Sequence, residues 1–464
     1  MTDTPSPTPR GQQTRPSREK RRAGPDRAAS AADRTPTGRG TDKDLALKVA
    51  IRRLLWRMGC STRLDVRLRA YVPARAGKAP AQDLTDLDVL GIGFTPAGQL
   101  HTTFADCRST EGRALERMFW VRGVADFVNA NDAFLVRAHD VPPAVRTLAS
   151  RLAIGVLTPG DFAAMEATFP TELNLTDGPL GCLFNRDTAA AHLDAHNDAD
   201  RKLRRLLNYL EFDYWIYDQH RNMTQLVAHL SDVVAVLDPS NRGHRTLFYD
   251  CVWHYALSAA HAAGFVRSTR MGSVPTAVET YVAGGELALR EKAGLAKALE
   301  SAGWPVSSSI VQPPYMQSMT ELVNRYLIRP TETADVLRYA EYLAVSEVNR
   351  VEATVATAFG SQTRAIAAKL LADTCGFLVT AAGLRPDFRT HARERVVVDL
   401  TGGHAAAPAD IAAGVSAASG ATNDDSAPAR RPPDVAPESD PAPGVNPTDT
   451  TATQAADDEL PFTS

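Results

Sequence analysis

Two short stretches of this 464-residue chain hold residues whose types and spacing could do chemistry. One is Asp86-Leu87-Asp88-Val89-Leu90-Gly91; the other is Phe104-Ala105-Asp106-Cys107-Arg108-Ser109. Both lie in apolar, strand-like runs linked by Thr95-Pro96-Ala97-Gly98, a favourable turn, which predicts neighbouring antiparallel strands. An acid near the start of one strand and an acid on the next can meet at one edge of the sheet. Arg108, two positions after Asp106, projects on the same face. Carboxylates of Asp88 and Asp106 placed in this way suit a hard divalent cation, Mg2+ or Mn2+. Such an ion activates water and stabilises charge that develops on a phosphoryl group. The blander alternative is that Asp86 and Asp88 flank a turn while Asp106 pairs with Arg108 or Arg113 on a solvated edge. Asp86 on its own reads as a turn residue rather than a ligand.

The surrounding elements must place these groups. Leu45, Leu47, Val49, Ile51, Leu54, Leu55 and Met58 mark the broad apolar face of a helix that Gly59 ends. Leu64–Val72 alternates apolar residues with Asp65, Arg67, Arg69 and Tyr71, the pattern of a strand. Leu87–Phe94 and Leu100–Cys107 are the next two strands. A helix is expected from about Thr110 to Asn129, its apolar face formed by Leu115, Met118, Phe119, Trp120, Val121 and Val124. A buried-type strand, Ala133–Ala138, precedes a helix opened by Pro142-Pro143. A short strand, Ala153–Leu157, and a helix from Gly160-Asp161 to about Ala167 complete the half. Three meandering strands followed by strands alternating with helices predict an α/β domain with a mixed sheet. From about 187 to 390 the spacing is helical, over 199–220, 222–235, 246–263, 287–301, 319–327, 331–359 and 370–382. Arg395–Leu400 is expected to be a terminal strand.

With the residues and the element order in view, residues of about 43–168 resemble the PD-(D/E)xK, or restriction-endonuclease-like, nuclease superfamily. Asp88 stands at the family's first acid, Asp106 at the acid of (D/E)xK, and Arg108 where the lysine belongs. The passage 149–157 resembles the helix-to-strand passage of Mrr-like members. The resemblance implies a restriction-endonuclease-like mixed sheet domain followed by a mostly α-helical domain. It also implies DNA as the partner and Mg2+-dependent phosphodiester hydrolysis, in restriction, repair or phage conflict. Asp88 and Asp106 would hold metal, and Arg108 would contact the scissile phosphate or position water. Two departures bear on activity. Arginine stays protonated and engages phosphate through its planar fork. The first helix, which often supplies a glutamate in the family, offers only Asp44 near its start and Lys48 where the acid is expected. A catalytically inactive nuclease-fold scaffold that binds a protein partner fits the same residues.

Other motifs favour packing. His192-Leu193-Asp194-Ala195-His196 has a zinc-compatible spacing but lacks the glutamate of HExxH, so a solvated helical face is the preferred reading. Arg201, Lys202, Arg204 and Arg205 are either a phosphate-facing patch or, as we prefer, the wet side of a helix whose Leu203, Leu206, Leu207 and Leu210 face the core. Tyr209, Phe212, Tyr214, Trp215 and Tyr217 read as core rather than as a base-stacking platform.

Composition bounds the rest. Hydrophobic residues make up 44% and charged residues 23%, ordinary for a globular protein, which excludes wholesale disorder. The formal net charge of −3 hides an asymmetry. Residues 1–40 carry nine basic against four acidic residues, and residues 402–464 ten acidic against two basic. We expect residues 1–41 to be a disordered basic arm that attracts DNA, and residues 402–464 a disordered acidic tail; a protein partner could bind the helical domain or this tail, although a tail without a partner is the preferred reading. The tip, Asp457-Asp458-Glu459-Leu460-Pro461-Phe462, resembles that of bacterial single-stranded-DNA-binding proteins, although Thr463 and Ser464 follow it. Five scattered cysteines without a CxxC pair suggest neither a disulfide framework nor a cysteine-based zinc site. With no apolar leader or membrane span expected, the anticipated location is cytoplasmic.

Overall fold

The structure, a computed structural model, describes residues 43–71, 81–110, 114–197, 199–269, 272–304 and 312–396. The chain divides into two units, 1–403 and 404–464, and the described residues all belong to the first. The expectations for the basic arm 1–41 and the acidic tail 402–464 lie outside the described residues.

Helix α1 (Leu45–Arg57) leads into strand β1 (Ser61–Tyr71). Gly59 makes the passage possible, since its φ of +86° is costly for any residue with a Cβ. Strands β2 (Ala81–Phe94) and β3 (Leu100–Arg108) complete an antiparallel meander. Helix α2 (Ala114–Phe127) then crosses to β4 (Asp132–Arg137), and α3 (Pro143–Arg151) crosses to β5 (Ile154–Leu157). Both crossovers produce parallel pairs, as helical connections do. The result is a five-stranded mixed sheet in the order β1-β2-β3-β4-β5, followed by α4 (Pro159–Thr168). The expected element order of this half is observed throughout.

Each sheet face has its own apolar layer. On one, Ile51, Leu54 and Leu55 of α1 and Phe162 of α4 cluster with Val89, Ala105, Cys107, Val136 and Leu157. Gly91 permits that approach: a Cβ there would lie 3.0 Å from the Leu55 side chain. On the other, Met118 and Val121 of α2 and Val145 and Ala149 of α3 belong to the cluster that includes Leu90, Phe104 and Leu135.

The remainder is helical: α5 (Gly181–Phe184), α6 (Arg186–Leu193), α7 (Arg204–Asn208), α8 (Tyr214–Ile216), α9 (Gln219–Asp232) and α10 (Arg242–Ser268), then α11 (Val274–Ala283), α12 (Glu286–Ser301), α13 (Met316–Ile328), α14 (Thr333–Val348), α15 (Val355–Phe359), α16 (Ala365–Ala382) and α17 (Asp387–Val396). The 27-residue α10 is the axis of this part, packed against α9, α11, α13, α14 and α16. Among the described residues α16 is long and apolar enough to cross a membrane, but it carries Lys369 and Asp373 and buries Leu370, Leu371, Cys375 and Leu378 among its neighbours. The apolar cluster of the helical part is continuous with that of the sheet.

Several sequence expectations are corrected. β2 starts at Ala81, not Leu87, so Asp86 lies within a strand paired to Arg67 rather than at a turn. The expected strand at 395–400 is replaced, up to Val396, by α17, because Phe388, Ala392 and Val396 at i, i+4 and i+8 make a buried helical stripe. The single helix expected over 199–220 is broken into a 3-10 turn (Arg201–Leu203), α7, a π turn (Tyr209–Asp213) and α8. On α2 the buried residues are Met118, Val121, Val124 and Ala125, while Phe119 is 61% exposed and Leu115 is exposed as well. Phe119 is about 100° around the helix from Met118, so a run of four apolar residues cannot all face one sheet. Trp120 is half-buried against Phe104, with the Arg117 guanidinium 3.4 Å from its ring.

A buried carboxylate with partners on several elements joins sheet and helices. Glu341 of α14 accepts from Arg52 Nε (3.1 Å) and Nη2 (2.7 Å), Trp56 Nε1 (3.1 Å), Ser61 Oγ (2.7 Å) and the Thr62 amide (2.8 Å). Trp253 of α10 in turn donates to Ser61 Oγ at 2.8 Å. Removing the carboxylate strands Arg52 as a buried, uncompensated charge. Glu341→Ala should therefore cost about 3–5 kcal/mol in urea denaturation; a loss below about 1 kcal/mol would mean water or another acid replaces it. In the same assay Met118→Ala should cost about 2–5 kcal/mol, and Phe119→Ser should stay within about 0.5 kcal/mol.

Candidate functional site

The register that pairs Val89 with Ala105 brings Asp88 level with Asp106, one step further along β2 and β3. The two acids are cross-strand neighbours within electrostatic reach of each other, and both are almost fully buried. What surrounds them differs from a metal site in waiting.

Lys48, on the inner face of α1, extends its ammonium between two carboxylates. Nζ lies 2.5 Å from Asp65 Oδ1 and 3.0 Å from Asp88 Oδ1. The other oxygen of Asp88 accepts the Cys107 amide at 2.7 Å. Asp65 reaches this position because its backbone is left-handed, φ +54°, inside β1. Aspartate tolerates that region better than most residues. The alternation that assigns Asp65 to an outer polar row fails at this residue, which is buried.

Asp106 is held from the other side. Arg117 of α2 grips it in a fork, Nε to Oδ2 at 2.8 Å and Nη2 to Oδ1 at 2.6 Å. The Arg108 guanidinium is 3.2 Å from Oδ1 and about one-third exposed. Its other nitrogen is 4.0 Å from Asp44, whose Oδ1 accepts the Ser109 amide at 2.6 Å. Arg137, also buried, lies within electrostatic reach of Asp106 and Asp44 and donates to the Thr110 carbonyl at 2.7 Å. Four buried carboxyls, Asp44, Asp65, Asp88 and Asp106, thus face Lys48, Arg108, Arg117 and Arg137. The cluster is close to neutral without any added ion.

Asp86, Asp65 and Asp88 each offer a carboxylate oxygen within 4.8 Å of the others, a spacing that could hold a cation. The donor set fits a hard ion, but the position between Asp65 and Asp88 is taken by the Lys48 ammonium. With Lys48 in place the residues do not fit Mg2+ or Mn2+. Of the residues assigned to catalysis and metal, Asp88, Asp106 and Arg108 are all brought together here. Lys48 as internal counter-ion, Asp65 and Arg117 were missed. The signals for Lys48 are its position on the apolar side of a helix pattern and its place where the resemblance expects an acid.

Burial pushes the Asp88 carboxyl up to about 7, against the Lys48 ammonium, which lowers it; the neighbouring Asp106 raises it further. The native state then holds a proton that the unfolded chain has already released above the ordinary carboxyl range. Between about pH 4 and 7 this group's contribution to stability is therefore lost as pH rises. Asp88→Asn should remove the effect, since its amide oxygen can still accept from Cys107. Urea denaturation at pH 5 and 8 should show the wild type losing stability relative to this variant at the higher pH. Parallel behaviour of the two proteins would contradict the titration of Asp88.

Elsewhere, His192 and His196 are not on a solvated face. Helix α6 ends at Leu193, and the turn that follows brings both imidazoles within 3.5 Å of Asp250 Oδ2, whose partner oxygen meets Arg63 at 2.6 Å. Of the five aromatics expected in the core, Tyr209, Phe212 and Tyr214 are buried there, while Trp215 and Tyr217 are half-buried against it. All five cysteines are buried and none forms a disulfide. Comparison with family models, with curated proteins and with solved structures found no match to this chain.

Proposed function

We propose that this chain acts by binding rather than by hydrolysis, as a catalytically silent relative of the restriction-endonuclease-like sheet. The observation that carries this reading is the Lys48 ammonium at 2.5 and 3.0 Å from Asp65 and Asp88, where a divalent ion would sit. The fork of Arg117 on Asp106 supports it, because a carboxylate already engaged by a guanidinium has little left to offer a metal. Arg108 completes the charge balance and, because it stays protonated, cannot accept a proton from water. The element order and the meander-then-crossover sheet support the likeness to that nuclease superfamily. A protein partner is the occupant we favour: Leu115 and Phe119, one turn apart on α2, and Phe127 further along it leave large apolar side chains in water.

A second reading is DNA binding with Mg2+-dependent phosphodiester hydrolysis, Asp88 and Asp106 as ligands and Arg108 on the phosphate. The gathering of Asp65, Asp86 and Asp88 within 4.8 Å favours it.

Thermal melts with millimolar Mg2+ or Mn2+ separate the two. On the first reading the wild-type melting temperature is indifferent to metal. Lys48→Ala is destabilised in chelator by about 3–5 kcal/mol and regains part of that loss when Mn2+ is added. A metal-induced rise in the wild type that disappears in Asp88→Asn, together with plasmid nicking lost in Asp106→Ala, would instead establish the hydrolase.

A further inference from the structure

A cavity in the helical part, lined by none of the residues of the acid cluster, has a volume of about 490 Å3. That is within the range of ~300–1,000 Å3 of small-ligand sites. Three of its walls are arginines: Arg201 of the 3-10 turn, and Arg204 and Arg205 of α7. Arg205 is paired with Asp232 at 3.0 Å. Arg201 and Arg204 make no ion pair among the described residues, although carboxylates are plentiful in this chain. Asn208 and Gln225 add amides, and no aliphatic side chain lines the space. The lining therefore rejects an apolar ligand and supplies donors suited to an oxyanion.

The lining also includes a largely buried histidine. His229 of α9 is 8% exposed, its ring 4.5 Å from that of Tyr209, and its Nδ1 is buried without a hydrogen-bond partner. A buried polar atom is expected to have one. Burial and then the nearby Arg205 lower the pKa of this imidazole, which favours its neutral form. The cavity also borders the π turn, a local irregularity that helices keep mostly at functional places. That turn ends in Asp213, and Tyr217 lies beyond it; both line the cavity.

We propose that this cavity binds the phosphate of a nucleotide, with Arg201 and Arg204 on the phosphate oxygens. Tyr217 offers a face for the base, and Asp213 an acceptor for sugar hydroxyls. The ligand can be a free mononucleotide or one nucleotide of a single strand, since both present the same group. The site owes nothing to the acid cluster, so it stands or falls apart from the function proposed above.

The test is calorimetric titration of the full chain with inorganic phosphate, with deoxyadenosine monophosphate and with a short single-stranded oligonucleotide. Each probe is run on wild type and on Arg201→Ala/Arg204→Ala. Both arginines are exposed, so circular dichroism and melting temperature should not change in the variant. The expected result is binding of the mononucleotide that weakens at least tenfold in the double variant. Binding of the oligonucleotide alone, weakened in the variant and with a salt slope smaller by about 1.4 for the two lost contacts, also supports the site and identifies a strand as its source. Equal affinity in wild type and variant for every probe bound, or no binding of any probe by wild type, overturns the proposal.

Discussion

The carboxylate of Glu341 is the constraint on which the arrangement of this molecule depends. It is a charge placed in an apolar interior, and such a charge is stable only when its surroundings are fully organised around it. Its partners come from the end of α1, the start of β1 and, through Ser61, from α10. All of these must be in register at once. Arg338, one turn before Glu341 on α14, reinforces the joint by lying 4.5 Å over the Trp56 ring. Apolar packing between sheet and helices supplies most of the cohesion, but it tolerates sliding. The directional bonds to Glu341 do not, and they fix where α1 lies. The position of α1 then determines where Lys48 points.

The acid cluster is a consequence of that placement. Helix α1 delivers a cation where the residues around it could otherwise have gathered one from solution. A lysine ammonium and a divalent ion are alternatives for the same carboxylates, but they are not equivalent. The ammonium is covalently tethered, so it entails no binding entropy and cannot be removed by chelation. It also brings no exchangeable water to act as a nucleophile. A sheet organised in this way holds its buried charges in pairs that satisfy one another.

Much of the sheet was legible because its signals are local. Alternation in β1, apolar runs in β3 and β4, and the turn at Thr95–Gly98 are read within a few residues. The meeting of Asp88 and Asp106 follows from adjacency of two strands, which is nearly as local. What escaped depends on rotation and distance. Whether Arg117 or Phe119 faces inward is decided by where α2 sits on β4, because Met118-Phe119-Trp120-Val121 offers no single stripe. Asp65 is buried only because one residue of β1 takes a left-handed conformation, which the alternating pattern hides. The π turn at Tyr209–Asp213 likewise leaves no trace in the spacing of Leu203, Leu206 and Leu210. The bond of Arg52 to Glu341 joins residues 289 positions apart, and nothing near either one announces it.

That separation also sets a schedule for the newborn chain. The first helix and strand emerge from the ribosome long before their acceptor exists; at ~5–20 residues per second the delay is roughly 15–60 s. Throughout that interval Arg52, Trp56, Ser61 and Thr62 have no carboxylate to satisfy them, and burying them early would trap unpaired polar groups. The bonds that join the amino-terminal sheet to Glu341 therefore cannot form until α14 has been synthesised. The sheet's final closure is a late event in biosynthesis, even though its strands are made first.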